Sequence, residues 1–303
     1  MIKKQYHYII AGLPTISIGE RLWTSMVEFR AHLEAHLHPE DFMLVKYILL
    51  QQDHQNLLQF LKSGDIPKET AGNFTQEDFN NPEDYISGTD PKAGFMPGYI
   101  SGILAQRADK KSESGGRSIG AGKGVEGNKD LLDLPAVQRE LDEGFFRLIM
   151  EKGNTFLRRY YTFHYDLNNL LAFQKTGAHR MDQEEFITGD TAHAQHLREF
   201  AGRNLVKDPD FEHFDDIISI TCNTSFAEAE KLTDQLKWQM IEEINRFEYF
   251  TVDRILGYLL QMNIAERWEQ LERESGEQQL RNIIDISYST LTEDQLVQQS
   301  TVP

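Results

Sequence analysis

The sequence contains one cysteine, Cys222, and comparatively few cations. A single cysteine cannot form an internal disulfide, and without a cysteine cluster there is no thiolate site for structural zinc. The 31 Lys and Arg residues face 48 Asp and Glu residues, so the formal net charge at pH 7 is −17. Such a surface repels phosphate groups and anionic lipid headgroups. The composition therefore argues against nucleic-acid binding and leaves room for a protein partner with a basic face.

Long apolar runs are also missing. The run over residues 44–50 contains Lys46 and is far shorter than the roughly 20 residues that a membrane-spanning helix needs. The apolar run near the N-terminus is interrupted by His7 and is too short for the core of a signal peptide. The sequence therefore predicts a cytoplasmic protein that does not insert directly into a membrane.

Alternation of apolar and polar residues, which is typical of strands, is nearly absent beyond the first ten residues. Tyr6–Pro14 is aromatic and β-branched, so we expect a short extended N-terminal segment there. Elsewhere the apolar residues recur at three- and four-residue steps, which indicates amphipathic helices. The fold class predicted is mainly α, a multi-helical protein with internally repeated helical units. Helices are expected within 17–37, 40–61, 75–80, 82–87, 136–175, 190–203, 226–262 and 265–279.

Helix boundaries can be predicted at several of these positions. Thr75 and Asp78 have the spacing of a capping box, and Asp133 followed by Pro135 favours a helix start. Gly64 and Gly177 are placed to end the helices before them. Glycines at 144 and 153 leave open whether 136–175 forms one bent helix or two abutting helices.

The composition of the chain divides it into three segments. Residues 1–109 form an N-terminal helical half, and residues 131–303 form a C-terminal helical half. Residues 110–130 between them are rich in Gly and Ser, which predicts a flexible segment. The two halves are expected to form one compact unit.

The Gly-rich segment includes Gly-Ala-Gly-Lys-Gly at residues 120–124, which invites comparison with a phosphate-binding loop. That loop requires an earlier glycine where Arg117 stands, and Ser or Thr where Gly124 stands. No apolar strand precedes the segment. We therefore interpret it as a linker and predict no cofactor.

Two histidine pairs have a spacing that metal ligands can use. His32 and His36 lie one helical turn apart, which allows two side chains to share a metal. A metal-dependent hydrolase using His32, His36 and an acidic partner is thus an alternative function. His193 and His196 with Asp190 form a second, less specific set. The plainer interpretation of both is histidines on solvated helix faces, and no Gly-x-Ser-x-Gly nucleophile motif is present, so we predict no catalytic or metal-binding residue.

One motif occurs twice, as DHQNLLQFLKSG at 53–64 and as DLNNLLAFQKTG at 166–177. In each copy an Asp, an Asn and a Phe fall on one helical stripe. Buried polar groups beside apolar ones must be hydrogen-bonded. We therefore expect these side chains to hold a neighbouring helix end or loop, or to contact a partner. They are Asp53, Asn56 and Phe60 in the first copy, and Asp166, Asn169 and Phe173 in the second.

The same motif carries a family resemblance. Asp-x-x-Asn-Leu followed by apolar residues, Lys and Gly resembles the recurring helix motif of the C-type subunit of V-type ATPases, known in eukaryotes as the d-type subunit. The opening YHYIIAGLP and the stretch 165–177 resemble a bacterial family encoded in V-type ATPase operons, in the place where the C-type subunit would be expected. The chain has two clear copies of the motif, whereas the C-type subunit is built from three related lobes.

The resemblance implies a non-catalytic component of a V-type ATPase or ATP synthase. The C-type subunit links the central rotor shaft to the membrane ring of proteolipid subunits and binds no nucleotide. The partners implied are these other ATPase subunits, which would hold the protein at the membrane periphery from the cytoplasmic side. A transient assembly or regulatory factor for the ATPase is a second alternative.

Overall fold

The computed structural model describes residues 4–68, 70–82, 95–115, 133–178, 182–223 and 226–273. Helices account for most of these residues, and none of the described residues forms a strand. The predicted mainly α, multi-helical fold is confirmed. No helix in the described ranges is both long enough and apolar enough to cross a membrane.

The helices follow in two groups along the chain. Before the Gly-rich segment lie α1 (His7–Ala11), α2 (Met26–His36), α3 (Pro39–Ser63), α4 (Gln76–Asn80) and α5 (Gly98–Gly115). After it lie α6 (Leu134–Lys152), α7 (Thr155–Ala178), a 3₁₀ turn (Glu184–Phe186), α8 (Ala192–Glu199), α9 (Phe214–Asn223), α10 (Phe226–Ile244) and α11 (252–273).

The prediction of an extended segment at Tyr6–Pro14 is wrong, because α1 occupies its centre. An extended backbone leaves its N–H and C=O groups unpaired unless a neighbouring strand receives them. The described part of the chain offers no such strand. Instead, the backbone N–H of Tyr6 donates to the carbonyl of Phe250 at 2.7 Å, and the next residues pair locally in a helix.

Several predicted helix ends are confirmed. Thr75 and Asp78 form a capping box at the start of α4. Gly64 ends α3 with φ of +85°, a left-handed conformation that favours glycine. The predicted helix start at Asp133 and Pro135 is confirmed, since α6 begins at Leu134, although the Asp133 side chain makes no capping hydrogen bond. The prediction for Gly177 is wrong, because this residue lies inside α7.

Of the two long predicted helical regions, one has the second of its two expected forms and the other is divided where no break was predicted. Residues 136–175 form two helices, because the chain leaves helical geometry at Gly153 before α7 begins. The helix predicted over 226–262 is wrong, since α10 ends at Ile244 and α11 begins after a turn over 245–251. At this turn the side chain of Asn245 donates to the carbonyl of Asp253 at 3.1 Å. The predicted start of a separate helix at residue 265 is also wrong, because α11 is continuous there.

Two apolar clusters form the core of the described part of the chain. The larger joins α2 and α3 to α6, the first half of α7, and α11, so it combines residues from both sides of the Gly-rich segment. The smaller surrounds the second half of α7 and includes Phe163, Leu170, Phe173, Leu197 and Ile217. Helix α5 continues to Gly115, so the first residues of the 110–130 segment are helical. The Gly-rich motif at 120–124 and most of the helical turn expected at 82–87 lie outside the described residues.

Gly144 allows α5 and α6 to approach closely. A Cβ at this position would lie within 2.7 Å of Tyr99 Cδ1, far inside van der Waals contact. We expect Gly144→Ala to lower the free energy of unfolding by about 1–3 kcal/mol, because the Tyr99 ring must move. Gly102→Ala in α5 is the matched control, since a Cβ there meets nothing within 4 Å. It should instead stabilise the protein by about 0.5–1 kcal/mol. Urea unfolding of both variants checks this, and equal effects would contradict it.

Candidate functional site

The first copy of the repeated motif holds the loop that leads into α4. Asp53 Oδ1 accepts hydrogen bonds from the backbone N–H groups of Asn73, at 2.7 Å, and Phe74, at 3.0 Å. Asp53 Oδ2 accepts from Asn73 Nδ2 at 2.7 Å. Asn56 Nδ2 donates to Thr70 Oγ1 at 2.9 Å. The loop therefore reaches α4 in a fixed position.

The second copy does the same for the loop that leads into α8. Thr191 Oγ1 donates to Asp166 Oδ1, and the same hydroxyl caps the N-terminus of α8. Asn169 binds Thr188 in both directions: Nδ2 donates to the carbonyl at 2.8 Å, and Oδ1 accepts from the backbone N–H at 2.9 Å. In each copy, then, a long helix anchors the loop before a threonine-capped helix.

All six motif side chains are buried. The least buried of them, Asp166, is 6% exposed. Phe60 belongs to the larger core cluster and Phe173 to the smaller one. These residues therefore serve the architecture, and their side chains offer almost no surface to a partner.

Burial changes the acidity of both motif carboxyl groups. Burial raises the pKa of Asp53 to about 7, against the lowering effect of the N–H donors of Phe74 and Asn73. Burial likewise raises the pKa of Asp166 to about 6, against the lowering effect of the Thr191 hydroxyl. The folded protein thus holds these protons more tightly than an unfolded chain does.

This predicts a pH dependence of stability. The pKa of Asp166 is higher in the folded protein than in the unfolded chain. The contribution of Asp166 to the free energy of unfolding is therefore fully present below about pH 4 and is lost as the pH rises through about 6. We expect the unfolding free energy of the wild type, measured relative to Asp166→Asn, to fall across that window. Urea titrations at several pH values measure it, and a constant difference between the two proteins would contradict it.

Five exposed aromatic residues lie on α1, in the segment before α2 and in the turn over 245–251. Tyr8 is 83% exposed, Phe247 77% and Tyr249 66%. Trp23 and Phe250 are also exposed. We call these five residues the aromatic surface.

Tertiary contacts bring the parts of the aromatic surface together. The His7 ring packs on the Phe250 ring, with centroids 4.1 Å apart, which joins α1 to the turn over 245–251. Tyr8 and Trp23 line one groove of about 560 Å³. The Trp23 indole N–H donates to the hydroxyl of Tyr258 at 2.8 Å, so this side chain is held in place although it is exposed.

An acidic group borders the groove. Glu28 lines it, and hydrogen bonds from Thr24 and Ser25 lower the pKa of this carboxyl group. The groove therefore combines apolar walls with a fixed negative charge. Exposed aromatic patches of this kind are typical of protein–protein interfaces, where one end of a ring is apolar and the other tolerates water.

The predicted histidine pairs occupy different surroundings. The rings of His32 and His36 lie 4.3 Å apart between centroids, and His36 Nδ1 lies 2.8 Å from the carbonyl of His32. His193 pairs with Asp208, whose Oδ2 lies 2.8 Å from Nδ1, and not with Asp190. Within the described ranges, no group of three or more His, Cys, Asp or Glu side chains is arranged to hold a metal ion.

A family model matches residues 3–289, and its description is "Protein of unknown function (DUF2764)". The chain belongs to this family. The match spans both helical halves and the Gly-rich segment between them, so the family model covers nearly the whole chain. A search of curated proteins found no match.

Proposed function

We propose that this DUF2764 protein is a non-catalytic helical adaptor that docks a partner protein through its aromatic surface. The observation that carries the proposal is the exposure of Tyr8, Phe247 and Tyr249, together with the contact of the His7 ring with Phe250, which joins α1 to the turn that carries Phe247 and Tyr249. Tyr8 also lines a groove with Trp23. Burying a large aromatic side chain away from water is favourable in free energy, and a docked partner would bury these exposed side chains. The aromatic surface is thus the part of the molecule best suited to an interface.

The negative charge of the chain favours a partner whose surface carries basic residues. The net charge of −17 and the carboxylate of Glu28 beside the groove favour a partner with an apolar centre and a basic rim. Complementary charge steers association and excludes acidic competitors. The partner is therefore a protein surface with exposed Lys or Arg around apolar side chains.

The repeated motif supports a mechanical role. Asp53 and Asp166 each anchor a loop to a long helix, and the larger core joins both halves of the chain. A closely packed helical body resists deformation and can transmit force between two partners. Together with the resemblance to the C-type subunit, this supports an adaptor between the rotor shaft and the proteolipid ring of a V-type ATPase.

Site-specific photo-crosslinking in native cells tests this proposal. A benzophenone amino acid would replace Tyr249, and in a separate protein Leu232, which is an exposed apolar position on α10. We expect the probe at 249 to crosslink a protein of the shaft or of the proteolipid ring. The probe at 232 serves as the control and should give no such product. Crosslinks to unrelated proteins, or the same products from both positions, would overturn the proposal.

A further inference from the structure

The groove that Tyr8 and Trp23 line offers open aromatic rings to a partner. Its walls come from α1, from the segment between α1 and α2, and from α2 itself. Both rings are exposed, and Ile9, Leu13 and Phe29 add apolar wall beside them. A groove of about 560 Å³ is large enough for one long side chain of a partner together with its flanking backbone.

Trp23 is held so that its ring face is the contact it can offer. Its indole N–H already donates to the hydroxyl of Tyr258 at 2.8 Å. Its ring also packs edge-to-face with the core residue Phe29, with centroids 6.2 Å apart. Since the only polar group of this side chain is occupied, a partner gains from Trp23 through apolar contact or through the attraction between a cation and the ring face.

A carboxylate lies in the same groove in a fixed position. Glu28 Oε2 accepts from Thr24 Oγ1 at 2.8 Å and from the backbone N–H of Ser25 at 3.3 Å. The hydrogen bond from Thr24 is the main cause that lowers the pKa of this carboxyl group, so the group is ionised at neutral pH. Both hydrogen bonds end on Oε2, and a carboxylate can accept further donors on its other oxygen. Thr24 directly follows Trp23, which ties the carboxylate to the residue next to the indole.

The negative charge of Glu28 is not balanced by a cation among the described residues. The side chains that line the groove include neither Lys nor Arg. The ion pairs within the described ranges involve other carboxylates. A fixed anion in an aromatic groove is complementary to a positive group that arrives with a partner.

We propose that the groove receives an arginine side chain of the docked partner. The guanidinium group would stack on the ring face of Trp23 and pair with the carboxylate of Glu28, while its aliphatic stem would lie against Leu13. Arginine suits the groove better than lysine, because its planar group stacks on aromatic rings and presents several donors at once. The inference rests on the proposed docking function and adds which residue of the partner's basic rim anchors in the groove.

Nuclear magnetic resonance of the purified full-length chain tests this inference without a partner protein. The probes are the N-acetyl amides of arginine, lysine and citrulline; the ureido group of citrulline has the shape of guanidinium without its charge. At about pH 7.5, where most histidine side chains are neutral, we expect the arginine compound to shift the indole N–H resonance of Trp23 saturably. This resonance is identified by its loss in Trp23→Phe.

The three probes should differ in affinity. The citrulline compound should bind about tenfold more weakly than the arginine compound, because it lacks the charge that Glu28 and the ring attract. The lysine compound should also bind more weakly, since its ammonium group cannot stack on a ring. No saturable shift with the arginine compound, or equal affinity for either of the other two, would overturn the proposal.

Variants assign the binding to the groove. Glu28→Gln should weaken the binding of the arginine compound by about fivefold or more, since the charge is lost. Glutamine can keep the capping box that starts α2, so the fold is retained. Glu34→Gln, at an exposed position of α2 outside the groove, is the matched control and should bind like the wild type. Unchanged affinity in Glu28→Gln, or an equal loss in Glu34→Gln, would contradict the assignment.

The outcome for the arginine site can be separated from the outcome for the docking function. The titration uses the isolated chain, so it decides the arginine site whatever the photo-crosslinking from position 249 finds. Crosslinks to the shaft or the ring without any binding of the arginine compound would remove the arginine site and leave the docking function in place. Binding of the arginine compound without such crosslinks would support the arginine site and overturn the ATPase as the partner.

Discussion

Replacing Asp53 with alanine is expected to lower the free energy of unfolding by about 3 kcal/mol or more. The substitution removes the acceptor of three hydrogen bonds and leaves the backbone N–H groups of Asn73 and Phe74 buried without it. Each buried donor without a partner costs about 1–3 kcal/mol. The loop before α4 would lose these three attachments to α3 and keep the hydrogen bond between Asn56 and Thr70. Urea unfolding followed by circular dichroism measures the effect.

Asp133→Ala is the matched control for this experiment. Asp133 is an aspartate that directly precedes α6, is exposed, and has a side chain that makes no capping hydrogen bond. Its replacement should change the free energy of unfolding by no more than about 0.5 kcal/mol. Similar losses in the two variants would mean that the motif carboxylate has no special structural role.

The double variant Phe247→Ser, Tyr249→Ser is expected to weaken partner binding by at least about tenfold without changing the fold. Both side chains project from the turn over 245–251 and are mostly exposed, so little core packing is lost. At interfaces, a few aromatic residues commonly supply most of the binding energy. Co-purification with the ATPase, quantified against the wild type, measures the loss.

Two further apolar surface residues supply the control for that variant. Val206 and Leu232 are exposed but do not belong to the aromatic surface. The double variant Val206→Ser, Leu232→Ser should retain its partner and its Tm. If both double variants lose the partner equally, the aromatic surface is not the interface.

Predictions from the sequence were correct where residues a few positions apart decide the structure. Gly64 ends α3, and Thr75 begins α4, because both effects depend only on residues a few positions away. The prediction that the repeated motif would hold a loop follows from the cost of burying Asp53 and Asn56 unpaired. The identity of the residues that they bind did not follow, because Asn73 lies 20 residues from Asp53 along the chain.

The wrong predictions arose where tertiary contacts override local preference. Residues 6–10 favour a strand, yet no strand in the described part of the chain can pair with them. The break after Ile244 contains neither Gly nor Pro, and it is stabilised by the contact between Asn245 and Asp253. The aromatic surface combines distant segments, so only the aromatic run Phe247, Tyr249 and Phe250 within a charged stretch could have signalled it.

Affinity purification of the tagged protein from gently solubilised native membranes tests the adaptor role most directly. Mass spectrometry would identify the bound proteins and quantify their stoichiometry. We predict recovery of the catalytic head, the shaft and the proteolipid ring with one copy of this chain. Recovery of the chain alone, together with an intact ATPase that lacks it, would contradict the adaptor role.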